Sequence, residues 1–194
     1  MRIITGTKRG MRLLSPKTAA SRPITDRVKE SLFSVLCKYD LPDGKMVADL
    51  FCGVGSLGLE ALSRGAEFVT FVEKEPRIVA TLERNIEKAG FVKETRVITA
   101  NALKIGAPTG SGDRRYELVF VDPPYACTRE VDADSPLGRL LDLLSGQIAP
   151  NGLVVVRTSR RTFLLEQYGR LRIVERREWG TMAVTILRVQ ASDE

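Results

Sequence analysis

The sequence predicts an α/β protein built on a mostly parallel sheet, helix-covered on both faces and completed by one antiparallel strand. Three observations lead there. From residue 46 onward, short apolar runs alternate with amphipathic stretches of helical period. Turn residues punctuate the junctions, as at Gly53, Gly65, Gly90 and Pro123. The last two apolar runs meet through Trp179-Gly180, which leaves no space for a crossover helix and makes one of them antiparallel.

The elements follow in order. Residues 1–24 are basic and broken by Gly and Pro, and are expected to form an arm with a β-like pair around Arg2–Thr5 and Arg12–Leu14. Residues 25–194 are expected to form the single main domain. Thr25 or Asp26 can cap a helix over residues 26–38, whose apolar face carries Val28, Leu32, Phe33, Val35 and Leu36. Leu41-Pro42-Asp43-Gly44 is a turn. Strands are expected at Met46–Phe51, Phe68–Glu73, Arg96–Thr99, Glu117–Val121 and Leu153–Arg157. Between them lie helices at Leu57–Arg64, Pro76–Ala89 and Pro136–Ser145, the second with Pro76 in its first turn and Gly90 past its end. Gly106–Arg115 is a loop, and Arg160–Tyr168 is expected to be a short helix. Arg172–Arg176 and Met182–Val189 close the sheet.

Composition removes several chemistries. The chain has no histidine, which excludes imidazole bases, Ser-His-Asp triads and His-ligated metals. Cys37, Cys52 and Cys127 are far apart and form no zinc or disulfide pattern, so no metal is expected and a reducing compartment is. No apolar run is long enough for a signal peptide or a membrane span, and a cytoplasmic monomer is the expectation.

Charge is uneven. Residues 1–30 hold eight Lys/Arg against two acids, a balance of +6. Residues 157–177 hold seven Arg against Glu166 and Glu175, a balance of +5, and the rest of the chain sums to −5. Two basic patches on an otherwise acidic body fit a polyanion partner. Arg9, Arg12, Arg22, Arg27, Arg160 and Arg161 are the candidate phosphate contacts.

Three constellations carry chemistry. Gly53, Gly55 and Gly58 spell G-x-G-x-x-G between a strand and a helix, a pattern shared by every dinucleotide-binding fold. Asp49, four residues before the first glycine, makes it specific: a carboxylate there repels a pyrophosphate and attracts an ammonium, such as the amino-acid end of S-adenosylmethionine (SAM). Glu73, with Lys74 beside it, ends the next strand, where Rossmann-like folds place an acid on the ribose hydroxyls. Ala100-Asn101-Ala102 follows the third strand, and Asn101 and Ala102 are candidates to cover an adenine.

Asp122-Pro123-Pro124-Tyr125 is the third constellation. Two prolines lack N–H groups, so local hydrogen bonds are not expected to close this loop. The Asp122 carboxylate and the Pro123 carbonyl are then rigid acceptors for the two N–H bonds of an exocyclic amine, and Tyr125 offers a ring to stack on a flat substrate.

At these residues the sequence resembles the DPPY class of SAM-dependent amino methyltransferases, and more closely the RsmD-type enzymes that modify a guanine N2 amine in small-subunit (16S) ribosomal RNA. The resemblance rests on Arg2-Ile-Ile-Thr-Gly, on Arg22 through Phe33, on Asp49 through Ala66, on Phe71-Val-Glu73, on Asp122 to Tyr125 and on Trp179 through Leu187. It implies a seven-stranded methyltransferase sheet, SAM as methyl donor, and ribosomal RNA or an assembling small-subunit particle as partner. The sequence departs from the family at Cys52, Val54 and Asn101, where Ala, Ser and Asp are common, and at Arg157, where an acid is common. Arg157, with Arg160 and Arg161, is read either as extra RNA contacts or as a change of specificity. Competing readings are the same chemistry on adenine N6 or another amine, a Rossmann oxidoreductase, which Asp49 and the Pro-Pro loop oppose, and a catalytically silent RNA-binding protein.

Overall fold

Strand β1 (Met46–Leu50) lies at the centre of the sheet, with β2 (Phe68–Glu73) and β3 (Thr95–Thr99) on one side and β4 (Tyr116–Val121) and β5 (Ile148–Ser159) on the other. These five strands run parallel. A computed structural model describes residues 1–15, 24–109 and 114–190. Beyond β5 come β8 (Met182–Val189), β7 (Leu171–Trp179) and the two-residue β6 (Gln167–Tyr168), so the observed order is β3-β2-β1-β4-β5-β8-β7-β6. β8 runs against both β5 and β7, which is the expected antiparallel member. β6 adds an eighth strand that the sequence reading lacked.

Alternation along each strand sends side chains to opposite faces. Val47, Phe71, Leu118, Phe120, Val155 and Ile186 face one core with α1 (Asp26–Leu36), α2 (Ser56–Ser63) and α3 (Pro76–Ala89). Ala48, Leu50, Val72, Val119, Val121 and Val156 face a second core with α4 (Ala102–Ile105) and α5 (Pro136–Gln147). Both faces are covered, as a parallel sheet requires. Thr25 caps α1 through the Val28 N–H, and Pro76 and Gly90 bracket α3 as expected.

The predicted helix at Arg160–Tyr168 does not form. Leu164 and Tyr168 are buried four residues apart, a spacing that mimics a helix face, but both pack into the second core from extended chain. The carbonyls that would build the helix are taken elsewhere: Arg176 Nη2 donates to the Arg160 carbonyl at 2.8 Å, and the Ile173 N–H to the Glu166 carbonyl at 3.0 Å.

The N-terminal segment is not a free arm over its described length. Arg2 and Arg12 form an antiparallel bridge, and Ile3 and Leu13 are buried in the first core. The side chain of Glu60, fully buried on α2, accepts from the Ile4 and Thr5 N–H groups at 2.7 and 3.0 Å. Lys29, 1% exposed, donates to the Arg2 carbonyl at 2.6 Å and pairs with Glu60 at 3.3 Å. Burial pushes the Lys29 ammonium below its usual range, against the pull of Glu60. Among the described residues, no helix is long and apolar enough to cross a membrane.

Candidate functional site

Strand register builds the site. Leu50 is level with Val72 on one side and Val121 on the other, and Val121 is level with Val156. One residue further along, Phe51, Glu73, Asp122 and Arg157 stand in a row at the carboxyl edge of the sheet. The strand order reverses between β1 and β4, and open α/β sheets bind ligands in the crevice at such a switch point.

The glycine loop leaves β1 through Phe51, whose φ is 58°, a left-handed conformation that costs a bulky residue strain. Gly53 and Gly55 continue with φ of 55° and 86°. A Cβ on Gly58 would fall 2.3 Å from the Phe71 ring, so this glycine lets α2 press onto β2. Asp49, 1% exposed, accepts from the Gly58 N–H through Oδ2 at 2.8 Å. Its Oδ1 is buried with no hydrogen-bond partner. Burial raises the Asp49 pKa to about 8, and the nearby charges of Asp122 and Glu73 push the same way. An unpaired, buried carboxyl oxygen of this kind fits an ammonium ligand.

Glu73 gathers the loop. Its Oε2 accepts from the Gly53 N–H at 3.1 Å, and Oε1 accepts from the Lys74 and Glu75 N–H groups at 2.8 and 3.0 Å. The carboxylate therefore orients the glycine turn, and its remaining lone-pair capacity can meet a hydroxyl pair. Lys74 is exposed. Asn101 caps α4: its Oδ1 accepts from the Leu103 N–H at 3.0 Å, which leaves Nδ2 as the group to offer an adenine edge. Ala102 is buried in the first turn of α4. Asn85 ties the N-terminal segment to this loop, donating to the Leu14 and Val54 carbonyls at 3.1 and 3.0 Å.

The loop after β4 differs from expectation in two respects. It is closed by local hydrogen bonds, because a 3-10 turn over Tyr125–Thr128 begins directly after the prolines: the Cys127 N–H donates to the Pro124 carbonyl at 2.8 Å and the Thr128 hydroxyl to the Tyr125 carbonyl at 3.0 Å. The closure lies downstream of Pro123, which is buried, and leaves Tyr125 half-buried. The second difference is Arg157. Its Nε lies 2.5 Å from Asp122 Oδ1, with both side chains mostly shielded from solvent. Arg157 is thus an internal partner of Asp122, and the reading of it as an extra RNA contact is withdrawn. Burial raises the Asp122 pKa and the Arg157 charge holds the rise back.

Arg9, Arg12, Arg27 and Arg161 are exposed; Arg160 is exposed and paired with Glu178 at 2.9 Å. Arg22 lies outside the described residues. Cys52 is buried, its thiol pKa pushed up by burial, as suits a packing residue. The sequence reading missed the Asp122 partner, the strain at Phe51 and the Glu60 anchor. Of these, Arg157 alone carried a signal, as a basic residue at a buried strand end.

The profile of the family described as "Conserved hypothetical protein 95" matches residues 1–188. YlbH of Bacillus subtilis (strain 168), named provisionally as an rRNA methyltransferase, is 31% identical over 190 residues, 97% of this chain and 98% of its own length. "Ribosomal RNA small subunit methyltransferase D" of Escherichia coli (strain K12) is 40% identical over 127 residues, which span 64% of this chain and 60% of that protein. Among solved structures, yhhF of Escherichia coli, described provisionally as a methyltransferase, superposes with a TM-score of 0.82 at 30% identity and covers 99% of both chains. An RNA methyltransferase from Salinibacter ruber, solved with S-adenosyl-L-homocysteine, gives a TM-score of 0.63 over 89% of this chain and 97% of its own; at 14% identity it speaks to the fold alone.

Proposed function

The chain belongs to the conserved hypothetical protein 95 family, and from that footing we propose that it transfers a methyl group from SAM to the exocyclic N2 amine of a guanine in small-subunit ribosomal RNA. The observation that carries the reading is the buried, unpartnered Oδ1 of Asp49 behind a glycine loop, with the Asp122-Pro-Pro-Tyr loop at the same sheet edge. The names of its relatives, a small-subunit rRNA methyltransferase and a provisional rRNA methyltransferase, support it.

When bound, SAM supplies an electrophilic methyl on a sulfonium. The residues of the chain do the rest. Asp49 Oδ1 accepts from the ammonium, Glu73 accepts from the ribose hydroxyls, and Asn101 Nδ2 and the Ala102 turn meet the adenine. Asp122 spends Oδ1 on Arg157, which leaves Oδ2 to accept one amine N–H while the Pro123 carbonyl accepts the other. These two acceptors draw the nitrogen lone pair out of ring conjugation. Tyr125 stacks on the guanine, and the proton released by the amine passes to Asp122 or to water. With no histidine in the chain, the enzyme works by position and electrostatics. Arg9, Arg12, Arg22, Arg27 and Arg161 are assigned to the RNA backbone, while Arg160, paired with Glu178, is not.

The test is incubation with methyl-labelled SAM and small-subunit rRNA or particles, followed by nucleoside mapping. N2-methylguanine is the expected product. Labelled N6-methyladenine would move the substrate to another amine, and RNA binding without label would leave a silent RNA-binding protein.

A further inference from the structure

Phe163 is 65% exposed, the most exposed large apolar side chain among the described residues. It does not sit on a loose loop. The Arg176 guanidinium lies against one face of its ring, 4.4 Å from the centroid. The same guanidinium reaches back to the Arg160 carbonyl at 2.8 Å and the Thr162 carbonyl at 3.5 Å, and pairs with Glu178. The Arg160 N–H donates to the Thr181 carbonyl and the Thr162 N–H to the Ser159 carbonyl, both at 2.9 Å. The next residue, Leu164, is buried, which anchors the segment from the other side. The ring is therefore held in place with one face backed by a cation.

The segment is also tied to the substrate loop. The Thr162 hydroxyl donates to the Thr128 carbonyl at 3.3 Å, at the end of the 3-10 turn that begins with Tyr125. Arg129, the next residue, and Arg161 are exposed beside it, while Arg160 is committed to Glu178.

We propose that Phe163 is a stacking platform for an unstacked nucleobase that neighbours the target nucleotide in the RNA. Arg176 braces its rear face, and Arg129 and Arg161 take the flanking phosphates. This rests on the RNA-methyltransferase reading above and adds to it a second base-binding position. The chemistry favours a base over a polypeptide: the exposed apolar feature is a flat ring set among guanidinium groups, a pairing that suits π-stacking next to a phosphate chain.

The experiment compares the parent with Phe163→Ala, Phe163→Leu and Phe163→Tyr. Each is titrated with a naked small-subunit rRNA fragment and with small-subunit particles, and thermal midpoint and S-adenosylhomocysteine affinity are recorded as controls. Ala and Leu are expected to weaken binding to naked RNA about ten-fold, the scale of one lost base–aromatic stack, while Tyr keeps it and the controls stay level. Leu preserves an apolar side chain without a π-face, so a Leu variant that binds like the parent overturns stacking. A loss confined to particles, with naked RNA bound normally, overturns the base in favour of a protein contact. A parent that methylates RNA while Phe163→Ala binds it equally well overturns the platform alone; a parent that neither binds nor methylates RNA overturns the functional reading as well.

Discussion

Arg157 and Asp122 face each other one residue past the level pair Val156 and Val121, with Nε 2.5 Å from Oδ1. A shielded carboxylate with its own cation is a fixed acceptor, but the pair is costly to break from one side. Asp122→Ala takes this carboxylate away from a shielded guanidinium and should destabilise the fold by up to about 3 kcal/mol. Asp122→Asn is the cleaner probe: it should fold, bind SAM and keep a small fraction of the rate. Arg157→Met removes the charge that holds the Asp122 pKa back, so the carboxyl should protonate at higher pH. Rate should then be lost as pH falls, and the variant should be more impaired at pH 6 than at pH 8.5, while Arg157→Lys stays close to the parent. Single-turnover rate against pH is the measurement, and parallel profiles for parent and Arg157→Met would exclude the role.

Asp49, the proposed ammonium acceptor, should link cofactor binding to pH. Its pKa is raised to about 8 in the free protein, so near neutrality it is largely protonated. An ammonium ligand favours the carboxylate, so binding releases a proton and affinity for SAM should rise with pH from 6 to about 7.5. Above that, the ligand's own amine begins to deprotonate. Because the folded state holds this proton more tightly than the unfolded state, the free protein should lose stability as pH rises from about 4 to 8. Calorimetry in buffers of different ionisation heat reads the proton directly; zero release on binding at pH 7 would contradict the assignment. Asp49→Asn should flatten both pH dependences and weaken binding.

Glu60 is the anchor of the N-terminal segment. Glu60→Ala removes the acceptor for two N–H groups and leaves Lys29 buried without its counter-charge. A loss of about 3–5 kcal/mol is expected in denaturant titration. Glu60→Gln keeps an acceptor oxygen and should cost less. Equal stability of Glu60→Ala and the parent would mean that the segment is not docked in solution.

Deleting residues 1–20 is a poor test of RNA contact, because Ile3 and Leu13 belong to the core and Leu14 shares Asn85 with the glycine loop. Charge reversal at the exposed Arg9 and Arg12 avoids this. Each reversal should weaken RNA binding and reduce the log–log salt slope by roughly 0.7–0.9 per lost phosphate contact, with SAM affinity unchanged. An unaltered slope would mark these arginines as a solvated surface.

Tyr125 tests the substrate side alone. Tyr125→Phe keeps the ring and should be mild; Tyr125→Ala should lower the single-turnover rate about ten-fold or more, on the scale of one lost stack. If the two variants behaved alike, the hydroxyl or the turn would be the important feature.

Much of this was legible in the sequence because it is written locally. The Thr25 cap and the Pro76 and Gly90 brackets of α3 are set by neighbours within a few residues, and they stand where local rules put them. What was not legible depends on residues far apart in the chain. Arg157 meets Asp122 across 35 positions, Glu60 reaches Ile4 and Thr5 across more than 50, and Leu164 and Tyr168 imitate a helix face while serving the edge of a sheet. Local pattern contains no term for a partner supplied by another strand. The cap at Asn101 lies in between: the contact is local, and it commits Oδ1 while sparing Nδ2 for the proposed adenine contact.

Phe51 bears on how such a chain can change over time. Its backbone sits at φ 58° while its ring packs against the second core. Glycine would relieve strain of about 1–2 kcal/mol but give up the ring, whereas any other apolar residue would keep some packing and retain the strain. No single apolar or glycine replacement improves both, so a gain in one is set against a loss in the other. Variants selected for thermal tolerance should gain it elsewhere and leave this residue, and the turn it opens, as they are.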